Sequence, residues 1–286
     1  MESATLLIFC PDRRGLVAAI TDFIFRRNGN VLHLEQHVDV EHNVFFMRVQ
    51  WDLAGFEIPK DKITTAFTPL AEQYGMTWRV HFSDEIQRIQ RMALFVSKEE
   101  HCLYDLLSRW QSGDLRVHIA LIISNHPTLG HIAEKFNIPF HQFTITKENK
   151  AGQEQAQIDL LKTHNVDLVV LARYMQIITA EFIAQFPNRI INIHHSFLPA
   201  FPGAKPYHQA YERGVKIIGA TSHYVTPDLD AGPIIEQDVA RVDHRDSISE
   251  MIRKGKDLEK TVLARAIWTH LGHRVLVYNN KTVVFK

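Results

Sequence analysis

Apolar residues follow two successive rhythms along the chain. Residues 4–10 (ATLLIFC) form a short apolar run, and after Pro11-Asp12-Arg13-Arg14-Gly15 the spacing in LVAAITDFIF turns helical. Two β-rich runs, VLHLEQHVDV and NVFFMRVQW, are separated by Glu41-His42. A helix-like stretch over 60–74 and a strand MTWRVHF close the segment near Phe82. The order βαββαβ predicts a ferredoxin-like split unit.

Past the polar stretch 83–91 (SDEIQRIQR), strands alternate with helices, the pattern of a mostly parallel sheet covered on both faces. The strands expected are 92–96, 117–123, 138–143, 166–172 and 189–193, with helices at 102–110, 129–136, 154–164 and 179–186. Two apolar runs, VKIIGATSHYV and PIIEQDVARV, precede a long helix over 247–271 and a hairpin turning at Asn279-Asn280. The fold class is α/β, divided into a first domain over 1–83, a linker over 84–91 and a second domain over 92–286.

Composition narrows the function. The 286 residues are 45% apolar and 22% charged, so disorder is excluded as a bulk description. Equal numbers of basic and acidic residues, 32 each, offer no footprint for nucleic acid or an anionic membrane. No run approaches the ~20 apolar residues of a spanning helix, and no signal-peptide pattern opens the chain, so a cytoplasmic location is expected. Cys10 and Cys102 form no Cys-x-x-Cys pair and read as reduced thiols. The 17 histidines are the compositional oddity.

Ligands of open α/β sheets collect past the carboxyl ends of the strands. In Asn188-Arg-Ile-Ile-Asn-Ile-His-His-Ser196, Asn192 and His194 stand two apart and share a face if the strand persists that far, whereas His195 points the other way. A carboxamide and an imidazole aimed at one point suit a carbonyl under attack. The other readings are a His-pair metal site, for which adjacent strand residues diverge, and a structural His-His pair held by backbone carbonyls. The segment Gly219–Gly232 adds His223, Asp228 and Asp230 in a turn rich in Pro, Asp and Gly. A turn aspartate can serve only as a local acceptor. Near His194 it would instead orient a water or take its proton, which makes an acyl-transfer site with water as default attacker.

Asn192-Ile193-His194, the loop Ser196–Gly203 and the Gly219–Gly232 segment with Asp230 resemble the Asn, His and Asp motifs of folate-dependent formyltransferases over roughly 116–240. Pro11-Asp12-Arg13-Arg14-Gly15-Leu16, after the first strand of a βαββαβ unit, resembles an ACT regulatory domain. The two in this order resemble the deformylase family that acts on 10-formyltetrahydrofolate, across nearly the whole chain.

That resemblance implies an ACT domain followed by a formyltransferase-type domain, and hydrolysis to formate and tetrahydrofolate, supplying formate for purine biosynthesis and balancing one-carbon folate pools. Asn192, His194 and Asp230 would be catalytic, with His223 either buttressing Asp230 or bonded within its turn. Folate would lie between the 172–178 stretch and the 226–230 loop, against Arg173, Tyr174, Met175, Ile177, Thr226 and Asp228. No metal or other cofactor is required.

Asp12, Arg13, Gly15 and Leu16 would receive an amino-acid effector, glycine and methionine leading, unless 12–15 only cap the helix. A homo-oligomer, dimer or tetramer, is implied because ACT domains usually act in pairs. The stretch Ser124-Asn125-His126-Pro127-Thr128 stands where related transferases cradle a phosphate with a glycine-containing loop; it has no glycine, and Pro127 lacks an N–H. This favours water as the acceptor over an amine. The rival readings are an amine-acceptor formyltransferase and a catalytically idle amino-acid sensor that retains a folate-binding shell.

Overall fold

The computed structural model describes residues 2–83, 89–200 and 206–286. Most of the expected linker 84–91 and the end of the Ser196–Gly203 loop therefore lie outside the described residues. By compactness the chain divides into Met1–Arg88 with Gly272–Tyr278 and Val283–Lys286, and Ile89–Leu271 with Asn279–Thr282. The first unit thus takes in C-terminal residues that the 92–286 reading assigns to the second.

The first unit is the expected βαββαβ array: β1 (Ser3–Pro11), α1 (Leu16–Phe25), β2 (Asn30–Asp39), β3 (Val44–Asp52), α2 (Ile63–Tyr74) and β4 (Thr77–Phe82). Its antiparallel sheet has the order β2-β3-β1-β4. Ile8, Met47 and Trp51 on one face pack with Ile20 and Ile24 of α1 and Phe67 of α2. The opposite face is also covered, Leu7, Val44 and Phe46 packing with Leu276 and Phe285. This is why β1 and β3 are buried almost throughout rather than alternately. Gly15 begins α1 at φ 90°, a left-handed conformation that a side chain would strain.

The second unit holds seven strands: β5 (Arg91–Val96), β6 (His118–Ser124), β7 (Phe140–Gln142), β8 (Leu168–Leu171), β9 (Ile190–His194), β10 (Ile217–Tyr224) and β11 (Ile234–Arg241). Their order is β11-β10-β9-β8-β5-β6-β7, parallel from β9 to β7 and antiparallel at β9–β10 and β10–β11. Ala93 and Phe95 join a cluster with Leu161 and Phe182, while Met92, Leu94 and Val96 are equally buried on the opposite side. A sheet covered on both faces reads as continuous apolar runs, as these strands do.

β7 is shorter than the expected 138–143; it lies at the sheet edge and follows Pro139, which cannot donate to a ladder. A helix at Pro206–Arg213 was not anticipated; it is short, and only Pro206, Tyr207 and Ala210 are buried. The 24-residue helix Ile248–Leu271, hereafter the long helix, lies against β9, β10 and β11. Among the described residues no helix is long and apolar enough to cross a membrane.

Candidate active site

Strand pairing assembles the polar groups. β9 and β10 run antiparallel with His223 opposite Asn192 and Thr221 opposite His194. A β-bulge at Ser222/His223, where β10 meets β11, re-aims the His223 side chain. Its Nδ1 lies 2.9 Å from the Tyr224 carbonyl, so that nitrogen carries the proton and donates. In the neutral ring Nε2 then accepts, and Asn192 Nδ2 donates to it at 3.2 Å. This orients the Asn192 amide and leaves its second N–H uncommitted among the described residues.

The turn after β10 returns Asp230 to the same point. Gly232 makes that return feasible, because a Cβ there would collide with the Tyr224 carbonyl. Asp230 itself sits at φ 53°, a left-handed conformation that Asp and Asn tolerate better than most residues. Its Oδ2 is 3.2 Å from His194 Nδ1, and its Oδ1 is 3.8 Å from His223 Nε2. Burial pushes the carboxyl up, but its polar surroundings, the hydrogen bond with His194 foremost, outweigh it and hold Asp230 well below the usual carboxylate range. It is ionised. His194 is 5% exposed, and its Nε2 is buried without a hydrogen-bond partner among the described residues. A buried ring nitrogen left unpaired is costly unless a bound molecule satisfies it.

These groups wall a cavity of about 330 Å³. Asn192, His194, His223 and Asp230 line it together with all six residues expected against folate: Arg173, Tyr174, Met175, Ile177, Thr226 and Asp228. Met175 and Ile177 are each 60% exposed, and so is Leu229, an apolar residue in a polar turn whose significance the sequence reading missed. Such exposed apolar surface around a polar cleft suits a flat ring system.

Tyr174 belongs to the core, edge-on to Phe95, and burial pushes its hydroxyl up to about 12. Thr226 donates to the Asp228 carbonyl within its own turn. Arg173 turns its head group away into a buried network, with Nε 3.4 Å from Glu259 and an NH1 donor 2.6 Å from His195 Nδ1.

His195 was read as pointing away from His194; its ring meets Arg173 and Tyr207, and the residue is also among those that line the cavity. β9 ends at His194, so strand alternation no longer governs the next residue. Behind it, Glu259 accepts from Tyr207 at 2.7 Å and lies 2.9 Å from His101 Nε2. His101, Cys102 and Glu259 carry ligand-type atoms within 4.8 Å of one another, but Arg173 already supplies a cation beside that carboxylate. Glu259 was missed from sequence. Its charged neighbours Asp257 and Lys260 give no sign of burial, and the only signal is apolar Val262 and Leu263 one helical turn later.

The Ser124–Thr128 stretch is internally engaged. Ser124 Oγ accepts from the His126 N–H at 3.1 Å, and Asn125 Oδ1 accepts from Ser97 Oγ at 2.6 Å. Ser97 Oγ in turn accepts from the Met175 N–H at 2.9 Å. In both residues the engaged atom is an acceptor, so these bonds do not take up the Ser124 hydroxyl hydrogen or the Asn125 amide hydrogens.

In the first unit, Gly15 lines an open depression with Ala18, Ala19, Asp22 and Tyr74. Leu16 is 2% exposed and belongs to the core, and Arg13 donates to the Tyr74 carbonyl at 3.0 Å. Gly15 holds the N-cap position of α1, its carbonyl accepting from the Ala19 N–H at 2.8 Å, and among the described residues no side chain adds a capping bond.

A family profile described as formyl transferase matches residues 90–267, and one described as ACT domain matches residues 4–67. A formyltetrahydrofolate deformylase of Synechocystis is 59% identical over 283 residues, covering 99% of this chain and 98% of that protein. One of Bacillus subtilis is 50% identical over 285 residues, covering 99% and 94%. A crystal structure of a formyltetrahydrofolate deformylase from Pseudomonas syringae superposes with a TM-score of 0.94 at 48% identity, covering 100% of this chain and 95% of that one. A glycinamide ribonucleotide transformylase from Symbiobacterium toebii reaches a TM-score of 0.66 at 28% identity, over 69% of this chain and 95% of its own.

Proposed function

The chain belongs to the formyl transferase family, among its formyltetrahydrofolate deformylases, and from that premise we infer how its residues hydrolyse 10-formyltetrahydrofolate to formate and tetrahydrofolate. The observation that carries the reading is the convergence of Asn192, His194 and Asp230 on one cavity, with Asp230 3.2 Å from His194. The pterin lies against Met175, Ile177 and Leu229, whose exposed apolar surface it covers. Its formyl oxygen accepts from the free Asn192 N–H and from His194 Nε2–H.

A water held by the Asp230 carboxylate attacks the formyl carbon. The C–O bond forms, the water's proton passes to Asp230, and negative charge gathers on the former carbonyl oxygen. Collapse of the adduct breaks the C–N10 bond. N10 takes the proton relayed through the Asp230–His194 pair, and formic acid leaves, ionising to formate at neutral pH. The chain's own groups supply every proton position in the step, so no cofactor is required. The Ser124–Thr128 stretch, which has no glycine and whose Pro127 lacks an N–H, favours water over a phosphorylated amine as acceptor.

The first unit is read as the sensor for a small amino acid, glycine or methionine, at the depression beside Gly15. Assembly into a dimer or tetramer and a cytoplasmic location complete the reading. Formate released from 10-formyltetrahydrofolate by the purified protein, with no amine present, tests it. Transfer only in the presence of an amine would replace it with the transferase reading, and binding without turnover with the idle sensor. Titrating glycine and methionine against the initial rate tests the sensor, and a flat response to both counts against it.

A further inference from the structure

Resting on the hydrolytic reading, we propose that His195 is a third hydrogen-bond donor of the site. Its Nε2–H takes the oxygen that water brings to the formyl carbon, and Arg173 and Glu259 are the positioning residues that set its tautomer.

The tautomer follows from chemistry. A guanidinium has only donors and stays charged at any pH a protein tolerates. Its 2.6 Å contact with His195 Nδ1 therefore requires a lone pair on that nitrogen, and the ring proton resides on Nε2. Among the described residues no hydrogen bond engages Nε2, and His195 is one of the residues that line the cavity, its ring centroid 5.2 Å from that of His194. The guanidinium is held in turn by Glu259, 1% exposed, which also receives Tyr207 and lies against His101. Gly255, one helical turn before Glu259, leaves the space the Tyr207 hydroxyl occupies; a Cβ there would collide with it.

Charge agrees with geometry. The ionisable groups acting on His195 are Arg173 and His194, which oppose its protonation, and Glu259 and Asp230, which favour it. Burial is the largest influence, and with Arg173 it pushes the imidazole down to about 4, so the ring is neutral wherever the enzyme would work. Two adjacent histidines are thus given different tasks by what stands behind them. A carboxylate stands behind His194, whereas a guanidinium behind His195 enforces a neutral donor.

Hydrolysis has a use for that donor. Attack by water places two oxygens on the tetrahedral carbon, where attack by an amine places one oxygen and one nitrogen. Asn192 and His194 account for the first oxygen. His195 is a neutral donor in the same cavity for the second, which remains an acceptor as it becomes an oxygen of formate.

The test reads tautomer and turnover separately, on the full chain. Imidazole ¹⁵N spectra of the wild-type protein should show His195 as the Nε2–H form, without titration between about pH 5 and 8. Glutamine extends an amide to roughly the Nε2 position, and asparagine only to Nδ1. His195→Asn should therefore lose about tenfold in kcat with KM changed under about threefold, while His195→Gln stays within about threefold of wild type. Arg173→Gln should release His195 toward its ordinary pKa of about 6.5 and add an ionisation to the kcat–pH profile that wild type lacks. Glu259→Gln should mix the tautomers and lower kcat in proportion. An Nδ1–H wild-type tautomer, or undiminished kcat in a folded His195→Asn, overturns the proposal. Absence of formate release by wild type would instead sink the hydrolytic reading, leaving the spectra to judge the tautomer on its own.

Discussion

Replacing Asp230 by Asn is the most direct trial of the proposed chemistry. Asn is isosteric with Asp and shares its tolerance of left-handed backbone, so the φ of 53° at this position adds no strain to the variant. What changes is charge. Opposite unit charges 3.2 Å apart attract by roughly 5 kcal/mol at an effective dielectric near 20, an upper figure for what the carboxylate lends an imidazolium at His194.

Loss of a positioned general base costs about 10² to 10⁴ in rate, roughly 2.7 to 5.5 kcal/mol, which is of the same order as that figure. The expected result is a fall in kcat of that order with little change in KM, measured as formate release under saturating 10-formyltetrahydrofolate. Circular dichroism and thermal unfolding should show a folded protein. A folded Asp230→Asn with kcat within threefold of wild type would refute the assignment of base and relay to this residue.

Asn192→Ala should lose about 10² to 10³ in kcat, because one donor to the developing oxyanion is removed; a loss under threefold would exclude that role. Gly232→Ala forces a Cβ onto the Tyr224 carbonyl and should destabilise the second unit by about 1–3 kcal/mol, seen in calorimetry as a Tm lowered by about 2–4 °C per kcal/mol. It should also depress kcat, since Asp230 is two residues away, and an unchanged Tm and rate would mean the turn has room. Acid should act through Asp230: its folded pKa lies below the reference 3.8, so its contribution to stability is complete above that value and is lost as pH falls below it. Urea unfolding of wild type and Asp230→Asn across pH 2 to 6 checks the sign, and a difference that grows toward low pH would contradict it. Activity should survive exhaustive chelation, and strict zinc dependence would overturn the scheme.

Much of this protein was written locally. The switch from βαββαβ to alternating strands and helices is visible because one-sided and two-sided burial impose different apolar patterns on neighbouring residues. Asn192, His194 and Asp230 were legible for a similar reason: two stand at a strand end with period-two spacing, and the third lies in a turn whose composition sets it apart.

Other features depended on contacts between distant segments. Leu276 and Phe285 cover Leu7, Val44 and Phe46, a packing between the two ends of the chain that no local pattern encodes. His195 enters the cavity because β9 stops one residue earlier, and its tautomer is set by Arg173 and Glu259, 22 residues before it and 64 after it in the sequence. Periodicity reports which face a residue takes within its own element. Hydrogen-bond partners and charge states are settled by neighbours in space, and only the folded chain chooses those.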